Sequence, residues 1–562
     1  MEKKTIYTNK LSLLEYFYEW EELQPNHIFL RQPKGKHWKE ISWKEAGNQA
    51  RKIAAALLDM GLVPGENVGI LSKNCYHWII TDLAIMMAGL ISVPFYPNQT
   101  ADQLSEVIAA GKIKLLFVGK LEDWENQKKG VPTSLPLISF PHYMGNSFIS
   151  DGMDWDILIH RYQPLLGKPI PALSDIWTIL FTSGTTGKPK GVMIDYEGPA
   201  TLMQLEKETN FLGLSNAKKH RFFSYLPLNH IAERLIVAAA AIHTGGSISF
   251  GESIQTFIYN LKKTQPTVFM AVPRIWTKFR MGIVSKIPEN QLFKLIKIPV
   301  ISGILKYILK KNLGLSNATI RLTGAAPASD PLKIFFSNLG MPIQEVYAMT
   351  ENCGGCTLMP ANVEKNGTVG KAVPGVNLKI DAQNGEILMQ APWLMKGYFE
   401  DEVLTSQILR NDWLHTGDTG HLDDDGFLYI TGRISETFKS SKGKFIAPAP
   451  LERPFAVNDL IEQVCVVGLG LAQPLALVNL SEYAKRLSKE EVNKRIEKTL
   501  SEVNLQVANY EKISSVVILS EPWEVSNGIL TPTLKIKRDR LNQVFNHKFE
   551  DWSQSKNLVI WD

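Results

Sequence analysis

The densest cluster of anion-binding groups in this sequence lies between residues 179 and 191. The apolar run Ile179 to Phe181 leads directly into three threonines, one serine, two lysines and three glycines. Glycines let backbone N–H groups approach an anion, hydroxyls donate to phosphate oxygens, and lysines neutralise charge. The pattern therefore predicts a polyphosphate-binding loop after a buried strand, the alternative being a surface loop without function. It is not a Walker P-loop, because Gly184 to Lys188 lacks the four-residue spacer and the hydroxyl residue after the lysine.

This loop and four later segments together resemble the adenylate-forming (AMP-binding) enzymes. The later segments follow in the order of that family: Tyr347-Ala-Met-Thr-Glu351, Trp413-Leu-His-Thr-Gly-Asp418, Gly432-Arg433-Ile-Ser-Glu436 and Thr531-Pro-Thr-Leu-Lys535-Ile-Lys-Arg538. Taken singly, each segment is also compatible with a structural role, such as a core tyrosine, a capping aspartate or a loop Gly-Arg pair. Because five motifs in this order are not expected by chance, the sequence is identified as a member of the family.

The resemblance implies which residues bind the triphosphate and the metal. The predicted phosphate-binding residues are Thr182, Ser183, Gly184, Thr185, Thr186, Gly187 and Lys190. Thr350 is expected to reach the α-phosphate, and Glu351 is expected to ligate Mg²⁺, a hard cation that prefers oxygen ligands.

The resemblance also implies which residues bind the nucleoside. Tyr347 would stack on adenine, with Gly324-Ala325-Ala326 lining the other side. Asp418 would accept hydrogen bonds from the ribose hydroxyls, with Arg433 assisting.

The same family places a catalytic lysine near the C-terminus, over the α-phosphate during adenylation. Lys535 and Lys537 both compete for this role, and strand alternation would point them the same way. The lysine of the family precedes an aliphatic residue, any residue and an arginine, so Lys535 is assigned as catalytic. The alternative is a solvated basic strand edge. Ser435 occupies the hinge position of the family, about which the C-terminal domain would turn.

The substrate is indicated by Ser224-Tyr-Leu-Pro-Leu-Asn-His-Ile-Ala-Glu-Arg234, which resembles a segment of long-chain fatty acyl-CoA synthetases. The segment Gly443-Lys-Phe-Ile-Ala-Pro448 resembles the same branch. His230 and Gly443 are therefore assigned to the acyl and CoA sites. The apolar run Leu235 to Ile242 is either the wall of an acyl tunnel or ordinary core. A tunnel would favour long substrates, since each buried CH₂ contributes about 0.8 kcal/mol.

The resemblance implies an ATP-dependent ligase that joins a long-chain fatty acid to AMP and then transfers the acyl group to CoA. A carboxylate is a poor acyl donor because oxide is a poor leaving group, and AMP replaces it with a good one. One alternative is a fatty acyl-AMP ligase that delivers the acyl group to a separate carrier protein. Another is a catalytically silent nucleotide- or acyl-binding protein, against which the intact Lys535, Glu351 and Asp418 argue.

The elements that must position these groups alternate between helix and strand. Apolar spacing predicts a helix over residues 44–60, a strand from Val68 to Leu71, a helix from Trp78 to Ala88 and a strand from Ile91 to Phe95. Such alternation is typical of parallel sheets covered by helices. The predicted fold is α/β, with ATP between two domains: a large N-terminal domain of mainly parallel sheets and a smaller mobile α+β C-terminal domain.

The pattern of predicted helices and strands changes after about residue 433. The last part contains predicted strands Val464–Val467 and Leu475–Leu480 and a helix that starts in a capping box at Ser488. The predicted domains are therefore 1–432, which binds AMP and the acyl group, and 433–562, which carries the catalytic lysine.

Composition limits the remaining alternatives. The formal net charge of +5 is weak for 562 residues, so we expect no nucleic-acid partner. Four cysteines cannot form a disulfide scaffold, and Cys353-Gly-Gly-Cys356 is interpreted as two small residues beside the active site. The N-terminus lacks the features of a signal peptide, and Asp82, Gly89 and Pro94 interrupt the longest apolar stretch. We expect a cytoplasmic protein, a location compatible with contact with a membrane surface.

Overall fold

The computed structural model describes residues 10–183, 189–216, 219–361, 363–456, 458–531 and 535–562. The chain divides into two compact units. The first comprises Met1–Lys365, Val369–Asn377 and Met389–Leu414; the second comprises Asn366–Thr368, Leu378–Leu388 and His415–Asp562.

One sheet of the first unit carries the strands that precede the predicted adenine-binding residues. Its strands, in spatial order, are Lys371–Ala372, Thr357–Leu358, Gln344–Tyr347, Ile320–Thr323, Val268–Met270, Arg221–Ser224, Ser247–Phe250, Ile28–Lys34 and His37–Ser42. The strands from Gln344–Tyr347 to Ile28–Lys34 pair in parallel, and the outer strands pair antiparallel.

The other sheet of the first unit carries the predicted phosphate loop. Its strands, in spatial order, are Gly397–Tyr398, Pro189–Asp195, Ile176–Ser183, Ile91–Phe95, Asn67–Ser72, Leu115–Gly119, Leu137–Ser139 and Met153–Asp154. Pairing is parallel from Ile176–Ser183 outwards to Met153–Asp154 and antiparallel on the other side. The predicted strands Val68–Leu71 and Ile91–Phe95 are confirmed, and they are direct neighbours in this sheet.

Helices cover these two sheets, as the alternating pattern predicts. The α-helices are Leu13–Leu23, Trp43–Asp59, Tyr76–Met87, Ala101–Ala110, Trp124–Gln127, Trp155–Arg161, Glu197–Thr209, Ile231–Glu233, Ala240–Thr244, Phe257–Thr264, Pro273–Val284, Glu289–Leu295, Pro299–Leu313, Asp330–Asn338 and Glu402–Ile408. The Ser42 hydroxyl caps the helix predicted over residues 44–60. The helix Tyr76–Met87 is buried along its whole length, which explains its apolar sequence. Within the described ranges, no helix is long and apolar enough to cross a membrane.

The C-terminal part of the second unit is a sheet with two helices on one face and one on the other. Its strands are Ile461–Val467, Leu475–Leu480, Val516–Ile518 and Val559–Trp561, and its helices are Pro448–Ala456, Lys489–Leu505 and Arg538–Gln554. Alternate residues of the first strand enter different cores: Val464 and Val466 enter one, and Cys465 and Val467 the other. Helix Lys489–Leu505 covers the first core and Arg538–Gln554 the second.

Local signals set the start of the helix Lys489–Leu505. The Ser488 hydroxyl accepts a hydrogen bond from the Glu491 N–H at 3.2 Å, which is one of the two bonds of the predicted capping box. The buried stripe Val492, Ile496, Leu500 and Val503 matches the predicted apolar face.

Further strands precede this sheet. They are Asn377–Ile380, Glu386–Gln390, Leu409–Arg410, Trp413–Leu422, Leu428–Arg433, Phe438–Lys439 and Phe445–Ile446. The predicted domain boundary at residue 432 lies where the strand Leu428–Arg433 ends. That the following part moves as a separate domain stays a prediction.

Candidate active site

The predicted phosphate loop joins two paired strands of the first unit. Strands Ile176–Ser183 and Pro189–Asp195 run antiparallel, with Thr182 opposite Lys190 and Ser183 opposite Pro189. The Thr182 hydroxyl lies 3.5 Å from the Lys190 carbonyl oxygen. The structure therefore brings together the two residues from which the loop departs.

The remaining predicted phosphate-binding residues cannot be placed. Gly184, Thr185, Thr186 and Gly187 lie outside the described residues, as does the side chain of Ser183. Their assignment to the phosphates stays a prediction.

The predicted metal ligand Glu351 lies in a short 3₁₀ turn, Thr350–Asn352, just beyond the strand Gln344–Tyr347. The Tyr398 hydroxyl donates a hydrogen bond of 2.8 Å to Glu351 Oε1. The Met395 N–H donates another, of 2.8 Å, to the Glu351 carbonyl oxygen. Glu351 is thus held by the segment that contains Met395 and Tyr398.

This segment also pairs with the strand that follows the phosphate loop. Tyr398 is the register partner of Val192, and the N–H groups of Lys396 and Phe399 donate to the carbonyl oxygens of Met193 and Gly191. One short strand therefore links Glu351 to the phosphate-loop hairpin. Since those two motifs lie more than 150 residues apart in sequence, only tertiary pairing brings them together.

Tyr398 is a site residue that the sequence motifs do not reveal. Burial and the neighbouring Glu351 carboxylate raise the pKa of its hydroxyl well above the usual value. The hydroxyl therefore stays protonated and orients the carboxylate as a donor. A Gly-Tyr-Phe run has no distinctive chemistry, so residue types alone do not predict that Tyr398 contacts Glu351.

The groups around Glu351 fit a magnesium ion carried by a nucleotide. No cluster of three ligating side chains occurs in the described part of the chain. Mg²⁺ in nucleotide sites is typically held by one or two carboxylates together with substrate phosphates. Glu351, oriented by Tyr398, suits the role of such a carboxylate.

The predicted adenine-binding residues lie at the carboxyl ends of two neighbouring strands of the first sheet. Tyr347 ends the strand Gln344–Tyr347, and Gly324-Ala325-Ala326 follow the parallel neighbour Ile320–Thr323. A Cβ atom on Gly324 would lie 2.9 Å from the Val346 carbonyl oxygen, so this close approach requires glycine. Ala325 has φ +65°, a conformation that favours glycine and that costs alanine about 1 kcal/mol.

Asp418 and Arg433, the predicted ribose-binding pair, are register partners on neighbouring strands of the second unit. Arg433 Nε donates to Asp418 Oδ1 at 2.6 Å, and Asp418 is only 4% exposed. The arginine therefore compensates the buried carboxylate and fixes its orientation.

The predicted catalytic Lys535 lies in the second unit, and its side chain is exposed. Its N–H donates to the Thr531 hydroxyl at 3.0 Å, and the Thr531 N–H donates to its carbonyl oxygen at 2.8 Å. The expected strand alternation does not continue, because only Ile536 forms a bridge, with Leu530, and Lys537 is already the N-cap of the next helix. Lys535 and Lys537 thus lie in different local structures.

Arg538 anchors the lysine segment, a role that the motif alone does not explain. Its guanidinium donates to Glu452 at 2.8 Å and forms a 3.4 Å ion pair with Glu436. Burial alone would lower the pKa of Arg538, but Cys465 and these carboxylates raise it above its ordinary value. The side chain is therefore a permanent cation that ties the segment to the core of the second unit.

The other predicted positions of the second unit are exposed turns. Ser435 lies in the 3₁₀ turn Ile434–Glu436, directly after the strand that carries Arg433. Gly443 lies in the turn between Phe438–Lys439 and Phe445–Ile446, with φ +75° and its N–H bonded to the Ser440 carbonyl oxygen. A side chain at Gly443 would be strained.

The segment that indicated a fatty acid substrate contains three residues with different structural environments. His230 is half-buried, and its Nδ1 accepts the Ala232 N–H at 3.2 Å. Glu233 is buried and accepts the Tyr225 N–H at 2.9 Å, and burial raises its pKa to about 8.

Arg234 ties the segment that follows the strand Arg221–Ser224 to the helix Tyr76–Met87 and to the phosphate-loop sheet. Its guanidinium donates to both Asp82 carboxylate oxygens at 2.8 Å and lies 4.2 Å from the Trp177 ring centre. Removing one partner of a buried ion pair typically costs about 3–5 kcal/mol of stability. This contact therefore stabilises the fold of the first unit. Glu233 and Arg234 are therefore structural residues of the segment.

An apolar cavity lies beside the turn that carries Glu351, within the first unit. Its volume is about 40 Å³. The lining residues are Leu202, Met203, Glu206, Phe211, Leu212, Leu214, Leu235, Ile236, Ala240, Val346, Gly354, Gly355, Cys356, Thr357, Leu358 and Val373. Val346 and Gly354 flank the Tyr347–Glu351 motif in sequence, so the cavity adjoins the predicted adenylation centre.

The run Leu235 to Ile242 supplies one wall of this cavity. It forms a π-helix, Arg234–Ala239, followed by the α-helix Ala240–Thr244. Irregular π-helical turns occur frequently at functional sites. Of the two interpretations left open by the sequence, the wall of an apolar site is the one that this placement favours.

Comparison with known proteins identifies the class of molecule that this fold and site define. A family model described as AMP-binding enzyme matches residues 17–399, and one described as AMP-binding enzyme C-terminal domain matches residues 436–555. The chain belongs to the AMP-binding enzyme family, which confirms the prediction from the five motifs.

Among curated proteins, the chain is similar to long-chain fatty acid–CoA ligases. It is 28% identical to the long-chain-fatty-acid–CoA ligase FadD15 of Mycobacterium bovis, over 95% of each chain. It is 27% identical to the long-chain-fatty-acid–CoA ligase ACSBG2 of Mus musculus, over 96% of this chain and 92% of that one.

Solved structures confirm the adenylate-forming fold. The anthranilate CoA ligase AuaEII in complex with anthranoyl-AMP matches with a TM-score of 0.77 and 18% identity, over 96% of this chain and 98% of that one. The A domain of a carboxylic acid reductase from Segniliparus rugosus matches with a TM-score of 0.79 and 20% identity, over 97% and 95%. At these identities the likeness shows the fold alone.

Proposed function

We propose that this protein is a long-chain fatty acid:CoA ligase that uses ATP. The fatty acid carboxylate attacks the α-phosphorus of ATP, the bond to the β-phosphate breaks, and pyrophosphate leaves. The CoA thiol then loses its proton and attacks the acyl carbonyl, and AMP leaves to give acyl-CoA. The names of the curated relatives support this reaction.

The observation that carries the proposal is the apolar cavity lined by Val346 and Gly354, which at about 40 Å³ accepts a few carbons of an acyl chain. The length of the chain is proposed from the names of the curated relatives. The walls of the cavity are almost entirely aliphatic, aromatic or small, as an alkyl chain requires. Each CH₂ buried there contributes about 0.8 kcal/mol, so the wall favours an acyl chain over a polar acid. Because Val346 and Gly354 bracket the motif, an acid whose tail enters the cavity presents its carboxylate near Thr350 and Glu351.

The proposed roles around ATP follow the sequence predictions. Thr182, Lys190 and the loop between them bind the β- and γ-phosphates, and Tyr347 stacks on adenine. Asp418, held by Arg433, accepts the ribose hydroxyls. Glu351 binds Mg²⁺, which when bound supplies positive charge at the phosphate oxygens.

Lys535 is proposed to neutralise the charge that develops at the α-phosphate during adenylation. Its exposed ammonium has no burial cost to overcome, and its backbone is fixed by Thr531 and, through Arg538, by the core of the second unit. We further propose that the part of the chain after Ser435 moves between the two half-reactions, and that His230 and Gly443 contribute to the acyl and CoA sites.

Incubation of purified protein with ATP, palmitate and CoA tests this function directly. Formation of AMP together with palmitoyl-CoA supports it. Accumulation of palmitoyl-AMP without thioester would instead identify an acyl-AMP ligase with another acceptor, such as a carrier protein. Glu351→Ala is the control, since loss of the carboxylate removes adenylation in either case. Absence of both products in the parent protein would refute the proposal.

A further inference from the structure

The helix Pro299–Leu313 carries a row of exposed apolar side chains. Val300, Ile301, Ile304, Tyr307 and Ile308 are 74%, 40%, 58%, 59% and 43% exposed. Their spacing of three, four and seven residues places them on one side of the helix. They form a continuous outward face, which we call the outer stripe.

The opposite side of the same helix packs against a core cluster of the first unit. Leu313 belongs to the core cluster that also contains Phe335 and Phe336, and Leu305 and Leu309 pack against that cluster. The helix is therefore apolar on both sides although it lies at the surface. A contiguous apolar face at the surface is typical of an interaction site, so the outer stripe is expected to have a partner outside this chain.

The segment of sequence that contains the outer stripe carries charge of a single sign. Residues 290–329 contain six basic residues and no acidic one. The lysines at 294, 297 and 311 are exposed, and Lys311 Nζ lies 5.8 Å from the Tyr307 ring centre. In the described ranges, no carboxylate lies within ion-pair distance of these three lysines. The partner of the stripe must therefore combine an apolar surface with negative charge.

We propose that the outer stripe docks on an anionic lipid surface, with the helix lying in the plane of the interface. An apolar helix face enters the boundary between headgroups and acyl chains, while flanking lysines reach the headgroups. The fifteen residues span about 22 Å along the membrane plane. Each lysine near an anionic surface strengthens binding, so charge contributes alongside the apolar contacts.

This proposal goes beyond the ligase function, since no residue of the outer stripe lines the cavity or belongs to the predicted ATP site. Failure of the lipid-docking proposal therefore leaves the proposed ligase function intact, and the reverse also holds. A protein that does not bind lipid can still form acyl-CoA from dispersed fatty acid.

Vesicle sedimentation of the full chain tests the proposal. The parent protein should sediment with vesicles of equal parts phosphatidylglycerol and phosphatidylcholine, and much less with phosphatidylcholine alone. High salt should release it, because the charge contribution is screened. The variant Ile304→Asn with Tyr307→Ser should lose binding about tenfold, and so should Lys297→Gln with Lys311→Gln. All four positions are exposed, so both variants are expected to fold.

The matched control is Leu23→Asn with Leu166→Asn. These leucines are 73% and 92% exposed and lie elsewhere in the chain, so their loss should leave vesicle binding unchanged. Three results would overturn the proposal: no sedimentation of the parent protein, equal binding to both vesicle types, or full binding by the Ile304 and Tyr307 variant. If the parent protein does not bind vesicles but dimerises through the outer stripe, the proposal is wrong and the partner is a second copy of the chain.

Discussion

At the scale of single residues, Glu351 owes its position to a tyrosine outside every motif. Tyr398 donates to the carboxylate and pairs with the phosphate-loop strand at the same time. A carboxylate that binds a nucleotide-carried metal must keep one orientation while the ligand enters and leaves. Tyr398 is thus a positioning residue that acts through Glu351.

Tyr398→Phe should raise the Mg²⁺ concentration needed for half-maximal adenylation by about three- to tenfold. The variant loses one hydrogen bond to a charged group, worth about 1 kcal/mol or slightly more, and keeps the ring packing. ATP–pyrophosphate exchange measured against Mg²⁺ concentration checks this. Glu351→Ala is the reference for complete loss of the ligand. An unchanged Mg²⁺ profile in Tyr398→Phe would show that the hydrogen bond has no orienting role.

Lys535→Ala should slow acyl-adenylate formation by around 10²–10³, the usual cost of removing a contact made to charge that develops in a transition state. With preformed acyl-adenylate and CoA, the same variant should form thioester at nearly the parental rate. Single-turnover assays of the two half-reactions measure both rates.

Lys537→Ala is the matched control for Lys535, being a lysine of the same segment. As the N-cap of a helix it lies in a different local structure, so the variant should keep most adenylation activity. If Lys537 is essential and Lys535 is not, the motif has been aligned two residues early. If neither matters, the catalytic role of this segment is wrong.

At the scale of elements, the irregular helix from Arg234 to Thr244 contributes both to the core of the first unit and to the proposed acyl site. Arg234 at its start binds Asp82 of the helix Tyr76–Met87, while Leu235, Ile236 and Ala240 line the cavity. One short element thus fixes the cavity wall relative to the strands that carry the predicted site. A change on its cavity face should alter selectivity without loosening the sheets.

Ala240→Leu should lower activity on long fatty acids relative to short ones, because the added carbons fill the cavity. Overpacking typically costs about 1–3 kcal/mol of stability, so stability must be measured alongside. Ala238→Leu is the matched control, since Ala238 is also buried but is not among the described lining residues. Relative kcat/KM across chain lengths is the measurement. A parallel shift in both variants would place the acyl chain elsewhere.

Ser435→Pro should affect the two half-reactions unequally. A 3₁₀ turn has φ between about −50° and −70°, which proline adopts, so the variant should fold while rotation about φ is blocked. One half-reaction should then be lost and the other kept, whereas Ser435→Ala should keep both. Equal loss in the proline variant, measured by adenylate formation and thioester formation separately, would mean that the hinge lies elsewhere.

At the scale of the whole molecule, buried titratable groups link stability to pH. Burial lowers the pKa of His243 to about 4, with Lys207 and His220 adding to the effect. The unfolded chain therefore binds more protons than the folded one between about pH 6.5 and pH 4, so His243 destabilises the fold as pH falls through this range. Glu233 has the opposite sign, since its raised pKa removes stability as pH rises from about 4.5 to 8.

His243→Gln should reduce the acid-side loss of unfolding free energy. Because Glu233 acts over an overlapping range, the difference between variant and parent is the informative quantity. Urea unfolding near neutral pH and near pH 5 should show a smaller drop for the variant. Identical drops in both proteins would show that His243 titrates normally in the folded state.

The sequence determined much of the fold and the class of this protein. Features confined to short stretches could be predicted from the sequence. They are the composition of the phosphate loop, the Ser488 cap and the strands Ile91–Phe95 and Leu475–Leu480. These features depend on neighbours within a few residues, which a sequence displays directly. The ordered motifs likewise identified the adenylate-forming family.

Tertiary structure alone decided what lies next to these motifs. Tyr398 reaches Glu351 only because a two-residue strand pairs at the edge of a sheet, and Arg234 acts through Asp82 from a distant helix. The same holds for the cavity, whose lining residues come from five separate stretches of the chain. Periodicity predicted that helices would be apolar, but not which side of Pro299–Leu313 would face the core. Packing between elements distant in sequence settles that, because burial is a property of the assembled layers and not of any one segment.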